Sequence, residues 1–395
     1  MKKIYITLIV CTLLILSYFL FQPIFDYTTG WMNLPKETNQ LAIKHPDARS
    51  KKADDTLKEI YKDLKSPAVS IAVSSNEGII WSNAIGYQDV QHKIAATTDT
   101  KFRIGSSSKA VTSLGIGVLL ENQNLNLDAT VNDFVPYASQ NLKSIKLKEL
   151  ASHTSGIRNY KTCFCFPIWE YYNNDEYANV EESVAIFNGD DLLFTPGSSF
   201  SYSSYNYTLL SAMIEGASKT SFEHFMTENV FKPLKIKDIL FEKESISSPT
   251  ISTFYEVEGV KTKASFKINN SNKWSGGGLI ATPSSLVTLG KALLNHELFS
   301  EQTTTSLLKP VPLTNGEINK QNYAIGWRND TVVDKLGANT QTQILHHGGT
   351  ALGATSLLIL FPEHQLSISI LMNRSGSSSA LFDHAYKIAK LFIEN

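Results

Sequence analysis

The sequence predicts an α+β fold in three layers: one antiparallel sheet assembled from both ends of the chain, flanked by helices, with a mainly helical region over about 125–335 inserted between its halves. Three observations carry this. Ala68-Val-Ser-Ile-Ala-Val-Ser74 and Gly78-Ile-Ile-Trp-Ser-Asn-Ala-Ile85 alternate apolar and polar residues around Ser75-Asn-Glu-Gly78, the pattern of a hairpin. The last 55 residues return to strand patterns at 343–346, 355–361 and 366–372 and close with a helical pattern over 380–393. Between the two lie helical and loop segments punctuated by Phe134-Val-Pro, Thr195-Pro-Gly197 and Ser275-Gly-Gly-Gly278.

At the N-terminus, Lys2 and Lys3 precede an apolar run of 18 residues from Ile4 to Phe21, extended by Pro23, Ile24 and Phe25. The run is longer than a usual signal-peptide core and about enough for one span, and no Ala-x-Ala type site follows it. Residues 1–25 are therefore expected to be a signal-anchor, a transmembrane segment that leaves the rest of the chain outside the cytoplasm, in the periplasm or extracellular space. A cleaved signal peptide with a secreted product, and a buried core helix, are the alternatives. Val10 ahead of Cys11 does not suit a lipoprotein site. Residues 26–50, polar and mixed, suit a stalk, and 51–395 then form one folded domain that opens with an amphipathic helix over Asp54–Leu64.

The 395 residues are 42% hydrophobic and 18% charged, as expected for a globular protein, and the net charge of −1 with scattered lysines and arginines excludes an electrostatic nucleic-acid binder. Of the three cysteines, Cys163 and Cys165 lie only two apart, which reads as two free thiols on a loop.

Ser106 stands three residues before Lys109 at the start of a helical pattern running to about Gln123. Positions three apart share a helix face, so the amine reaches the hydroxyl, and a hydroxyl beside a base is an activated nucleophile. The alternative is that Ser106 caps the helix and Lys109 is solvated. Tyr202 follows a Pro-Gly loop ahead of another helix; a cation that lowered its pKa would make it a proton relay, and otherwise it is a packed loop aromatic. In Leu345-His-His-Gly-Gly-Thr350-Ala-Leu-Gly353 the glycines, Gly349 among them, let a substrate approach the strand and leave N–H groups for an oxyanion; alone, the same residues make a tight turn. His346 and His347 point to opposite faces of a strand and have no carboxylate at ligand spacing, so no metal site is expected.

Together, in this order, these three motifs resemble the penicillin-recognising serine hydrolases: class C β-lactamases, DD-peptidases and LACTB-like serine β-lactamase-related proteins. The resemblance covers roughly residues 50–395, and Leu150-Ala-Ser-His-Thr-Ser-Gly-Ile-Arg158, Phe231-Lys-Pro-Leu234, Ser275-Gly-Gly-Gly-Leu-Ile-Ala-Thr-Pro283 and Tyr323-Ala-Ile-Gly-Trp327 support it. It implies a β-lactamase/transpeptidase-like fold. It further implies that Ser106 is acylated, Lys109 takes its proton, Tyr202 shuttles protons to the leaving group, His347 stands where relatives carry a lysine, and the N–H groups of Ser106 and Thr350 form an oxyanion hole. Two positions depart from the family. Ser204 replaces the asparagine of Tyr-x-Asn and cannot both donate to and accept from a substrate amide, and His347 is only partly charged at neutral pH. Both weaken the case for efficient β-lactam turnover.

The resulting expectation is an exported, membrane-anchored serine hydrolase with no metal or organic cofactor. Its expected partner is a small-molecule or peptide substrate: a D-amino-acid peptide, a β-lactam or an ester. The alternative from another class is a penicillin-binding sensor or scaffold on the same fold. The oligomeric state is not readable from the sequence.

Overall fold

Alternation of small polar and branched apolar residues sorts the strands into one sheet whose two faces bury different helices. The computed structural model describes residues 2–35, 40–162, 169–243 and 248–393. The expected hairpin is β1 (Ala68–Ser75) and β2 (Gly78–Asp89), with β3 (Ile94–Ala95) on its edge. The C-terminal part supplies β4 (Arg328–Val333), β5 (Gln341–Ala351), β6 (Ala354–Phe361) and β7 (Leu366–Met372). The order is β4-β5-β6-β7-β1-β2-β3 with antiparallel neighbours throughout. β7 pairs with β1 from Ser367↔Ser74 to Met372↔Val69, so both chain ends meet in the middle of the sheet. β4 was not anticipated; it is an edge strand whose residues are partly or fully exposed, so it lacks the apolar alternation that marks the others.

The main helices are α1 (Lys2–Thr28), α2 (Ala48–Leu64), α3 (Ser108–Glu121), α4 (Tyr205–Ser218), the single-turn α5 (Trp274–Gly277), α6 (Pro283–Leu294) and α7 (Phe382–Ile393). Val69, Ile71 and Val73 of β1 face Leu57 and Ile60 of α2 and Ile388 and Phe392 of α7 in one buried cluster. Ala68, Leu358, Leu360 and Leu371 on the other face meet Leu286, Leu289 and Leu293 of α6 and Val111 and Leu114 of α3. Helix, sheet and helical region are the three layers expected.

Of the segment expected as a stalk, residues 41–45 lie along the sheet edge: Leu41 bridges to Ile85, and Ala42 N–H donates to the Ala84 carbonyl at 2.9 Å. Buried Asp54 gathers this corner, accepting from Trp81 Nε1 at 3.0 Å and Asn83 Nδ2 at 2.8 Å and pairing with His45 at 3.0 Å. Met32 and Asn33 pair with Thr262 and Lys261 of a hairpin, and Tyr27 donates to Glu258 at 2.6 Å. Among the described residues no helix is long and apolar enough to cross a membrane, so the expected transmembrane span is not supported. Cys163 and Cys165 fall outside the described residues, as do 36–39.

Asn373, just past β7, joins the strands at the site end of the sheet. Its Oδ1 accepts from Ala68 N at 2.6 Å, and its Nδ2 donates to the Tyr87 carbonyl at 3.1 Å and to Ser252 Oγ at 2.9 Å. Asn373→Ala leaves these buried groups without partners and is expected to lower stability by about 2–3 kcal/mol, read as a fall in the urea midpoint at unchanged slope.

Candidate active site

A short strand places the nucleophile. Phe102 and Arg103 pair with Ala281 and Ile280, and Ile104 N–H donates to the Leu279 carbonyl at 3.1 Å, so the chain leaves this strand beside α5. It then turns through Gly105–Ser107, a single 3-10 turn with Gly105 in the left-handed region at φ +47°, and runs into α3. The turn is stitched to the sheet: Ser107 Oγ donates to the His347 carbonyl at 3.0 Å, and Ser356 Oγ donates to the Ile104 carbonyl at 2.7 Å. A Cβ on Gly349 would overlap that Ile104 carbonyl, and one on Gly105 would come within 3.0 Å of the Thr350 nitrogen. The glycines of both motifs thus bring the backbones of Ser106 and Thr350 side by side.

Lys109 is fully buried on the first turn of α3, and its Nζ donates to Ser106 Oγ at 3.1 Å and to the Gly276 carbonyl of α5 at 2.5 Å. Burial pushes this amine well below its ordinary pKa of 10.5, and the charges of Arg328 and Lys273 push the same way. Half-buried Tyr202 is hydrogen-bonded to Ser106 and lies with its ring centroid 5.1 Å from Lys109 Nζ. Its pKa moves opposite to the sequence expectation: burial raises it to about 12, against the weaker lowering effects of the Ser106 hydrogen bond and the Arg328 charge. Lys109 therefore favours the proton-accepting form and Tyr202 the proton-donating form at neutral pH.

His347 is buried, and both of its ring nitrogens are used inside the protein. Nε2 meets the Tyr323 hydroxyl at 2.7 Å and Nδ1 meets the Gly348 carbonyl at 2.7 Å; Nδ1 therefore carries the proton and Tyr323 donates to Nε2. Burial, reinforced by Arg328 and Lys109, pushes its pKa well below 6.5. It lines the cavity beside Ser106, as expected, but with its pKa depressed by burial rather than as a partly charged contact. Ser204 also differs from expectation. It is buried beside Lys109, 3.5 Å from Nζ, hydrogen-bonded with Tyr160, and does not line the substrate cavity.

That cavity, about 360 Å³, is lined by Ser106, Tyr202, Arg328, His346, His347 and Thr350 together with Ser377, Ser378 and Phe382. Arg328 is the cation that the sequence reading missed. Its guanidinium lies 5.0 Å from the Tyr323 ring and donates through Nε to Gln321 Oε1 at 3.0 Å. Among the described residues no carboxylate pairs with it: neighbouring Asp330 is taken up by His346 at 2.8 Å and Asn322 at 2.8 Å. The signal was adjacent, since Arg328 directly follows Tyr323-Ala-Ile-Gly-Trp327.

The remaining matched motifs form the layer behind the reacting groups. Trp327 Nε1 donates to Ser113 Oγ of α3 at 2.7 Å, and Gly326 packs on the Lys109 carbonyl. His153 stacks against Tyr202 with ring centroids 4.0 Å apart and accepts from Ser203 N–H at 3.2 Å. Among the described residues no group of three or more His, Cys, Asp or Glu side chains is placed to hold a metal.

A Beta-lactamase family model matches residues 53–391. The human mitochondrial protein named serine beta-lactamase-like protein LACTB is 28% identical over 397 aligned residues, covering 78% of this chain and 71% of that protein. The crystal structure of a penicillin binding protein from Bacillus halodurans superposes with a TM-score of 0.70 at 21% identity, covering 85% of this chain and 99% of that one. D-amino acid amidase from Ochrobactrum anthropi, complexed with D-phenylalanine, gives 0.70 at 17% identity, covering 87% and 98%. At these identities the two structural likenesses speak for the fold.

Two outcomes follow from the buried amine. Lys109→Met is expected to abolish acylation of Ser106 and to raise the melting temperature at pH 7. The folded state binds this proton less tightly than the unfolded chain, so wild-type stability rises with pH between the depressed value and 10.5, and the mutant's advantage shrinks over that window. Arg328→Ala removes a positive neighbour, raises the Lys109 pKa and is expected to move the acid limb of the kcat/KM–pH profile to higher pH.

Proposed function

The chain belongs to the Beta-lactamase family, and from that premise we propose that it is a serine hydrolase forming an acyl-enzyme at Ser106 on an amide, peptide or ester. The observation that carries this reading is a fully buried amine 3.1 Å from a hydroxyl that lines a cavity, with burial pushing the amine's pKa well down.

Lys109 takes the Ser106 proton as Oγ bonds to the substrate carbonyl carbon, and the carbonyl electron pair moves onto oxygen, between the N–H groups of Ser106 and Thr350. When the tetrahedral species collapses, the bond to the leaving nitrogen or oxygen breaks and Tyr202 donates its proton to that atom; Lys109 then returns a proton to Tyr202. The protonation preferences of the two side chains support this division of labour. Arg328, alone on the cavity wall as a cation without a carboxylate partner among the described residues, favours substrates that present an anionic group beyond the scissile bond. The apolar sequence behind Lys2 and Lys3 supports an exported location, and cell fractionation of the full chain tests it.

The described residues lining the cavity include no carboxylate to activate a deacylating water, which favours a long-lived adduct and with it the second reading, a sensor on this fold. Intact mass of the protein after exposure to a fluorophosphonate or to benzylpenicillin separates these readings. A single adduct lost in Ser106→Ala is expected with the fluorophosphonate. Persistence of a penicillin adduct for hours would favour the sensor, its loss with release of opened drug would favour the hydrolase, and labelling retained in Ser106→Ala would overturn both.

A further inference from the structure

Lys273, only 6% exposed, carries a buried amine that touches none of the proposed reacting groups, although its charge joins that of Arg328 in lowering the Lys109 pKa. Its Nζ donates to the Tyr171 carbonyl at 3.1 Å and lies 3.9 Å from the centroid of the Tyr171 ring and 6.0 Å from that of Tyr160. The acid within electrostatic reach, Glu242, is occupied by Arg103 at 2.6 Å. Burial, helped by the Arg103 charge and opposed by Glu242, pushes the amine down to about 7. A buried amine bound to both the carbonyl and the aromatic face of Tyr171 fixes the segment it grips.

That segment is the near end of an aromatic wall. Tyr171 packs against Tyr160, Trp169 and Tyr172 at centroid distances of 5.4, 5.1 and 5.1 Å, and Tyr172 continues to Phe266 at 5.0 Å. Trp169 and Phe266 are 38% and 49% exposed, which leaves an apolar surface on this wall. The wall touches the site at two points: the Tyr171 hydroxyl reaches the Thr350 carbonyl at 3.4 Å, and Tyr160 is hydrogen-bonded with Ser204. Tyr202, the proton donor to the leaving group, stands on the Arg328 cavity, so the leaving group departs into that cavity. The other substituent of the carbonyl carbon is then directed past Thr350 toward Tyr171.

We infer that Tyr160, Trp169, Tyr171, Tyr172 and Phe266 form the acyl-group subsite, that it takes an aromatic or bulky apolar acyl group, and that Lys273 is the positioning residue that holds it. The inference rests on the serine hydrolase reading for its orientation, and binding without chemistry tests it separately. Titration calorimetry on the Ser106→Ala protein compares 2-naphthoylglycine with acetylglycine, which share the amide and the carboxylate and differ only in the acyl group. Burying one ring system is expected to favour the naphthoyl ligand by at least about tenfold. Trp169→Ala, at an exposed position, and Lys273→Met are each expected to reduce that preference severalfold while leaving acetylglycine affinity unchanged. Equal affinities in the Ser106→Ala protein, or a preference undiminished in Trp169→Ala, would overturn the subsite. A preference undiminished in folded Lys273→Met would remove the positioning role. Absence of any Ser106 adduct in the wild-type protein would instead count against the acyl-enzyme reading, leaving the binding comparison to decide the subsite.

Discussion

Everything at the proposed active site depends on keeping one amine dry. Lys109 has no carboxylate against it; its contacts are the Ser106 hydroxyl and the Gly276 carbonyl, and the nearest charges named by its environment, Arg328 and Lys273, are both positive. Desolvation and like charge act together, and both disfavour the ammonium. A lysine paired with an acid at the same place would stay protonated and could not accept the serine proton.

The fold is arranged around that requirement. α3 lies between the sheet and the helical region, so its first turn is covered by both, and α5 brings a backbone carbonyl to the amine without adding a side chain. The close approaches at Gly105, Gly326 and Gly349 allow backbone to lie on backbone there, where any Cβ would force the layers apart. The imidazoles of His153 and His347, both with pKa pushed well down by burial, fill the space around Tyr202 and Tyr323.

Charge enters this site from its rim. Arg328 stands on β4 next to the cavity, and Lys273 stands behind the Tyr171 segment, so the reacting serine lies between an arginine-lined cavity and an aromatic wall. Such a division gives the two halves of a substrate chemically different surroundings, one electrostatic and one apolar, on either side of a common carbonyl-binding point.

The sequence by itself determined the local pieces. Strand patterns marked β1, β2, β6 and β7, and the Ser106–Lys109 spacing was legible because positions three apart on a helix meet through local geometry alone, while Tyr202 was carried by its own Pro-Gly motif. Tertiary structure decided what those groups are surrounded by. Arg328 was not legible as a site residue because its strand is an exposed edge without alternation, and it comes to the cavity only by pairing with β5. The depressed pKa of His347 depends on burial and on the charges of Arg328 and Lys109, its ring orientation depends on Tyr323, 24 positions away, and the raised pKa of Tyr202 depends on burial that no local pattern encodes. Lys273 carried no signal in the sequence, because its place follows from packing against a segment 102 positions earlier. Connectivity and period are properties of the chain, whereas desolvation and long-range charge exist only once the layers have closed around the site.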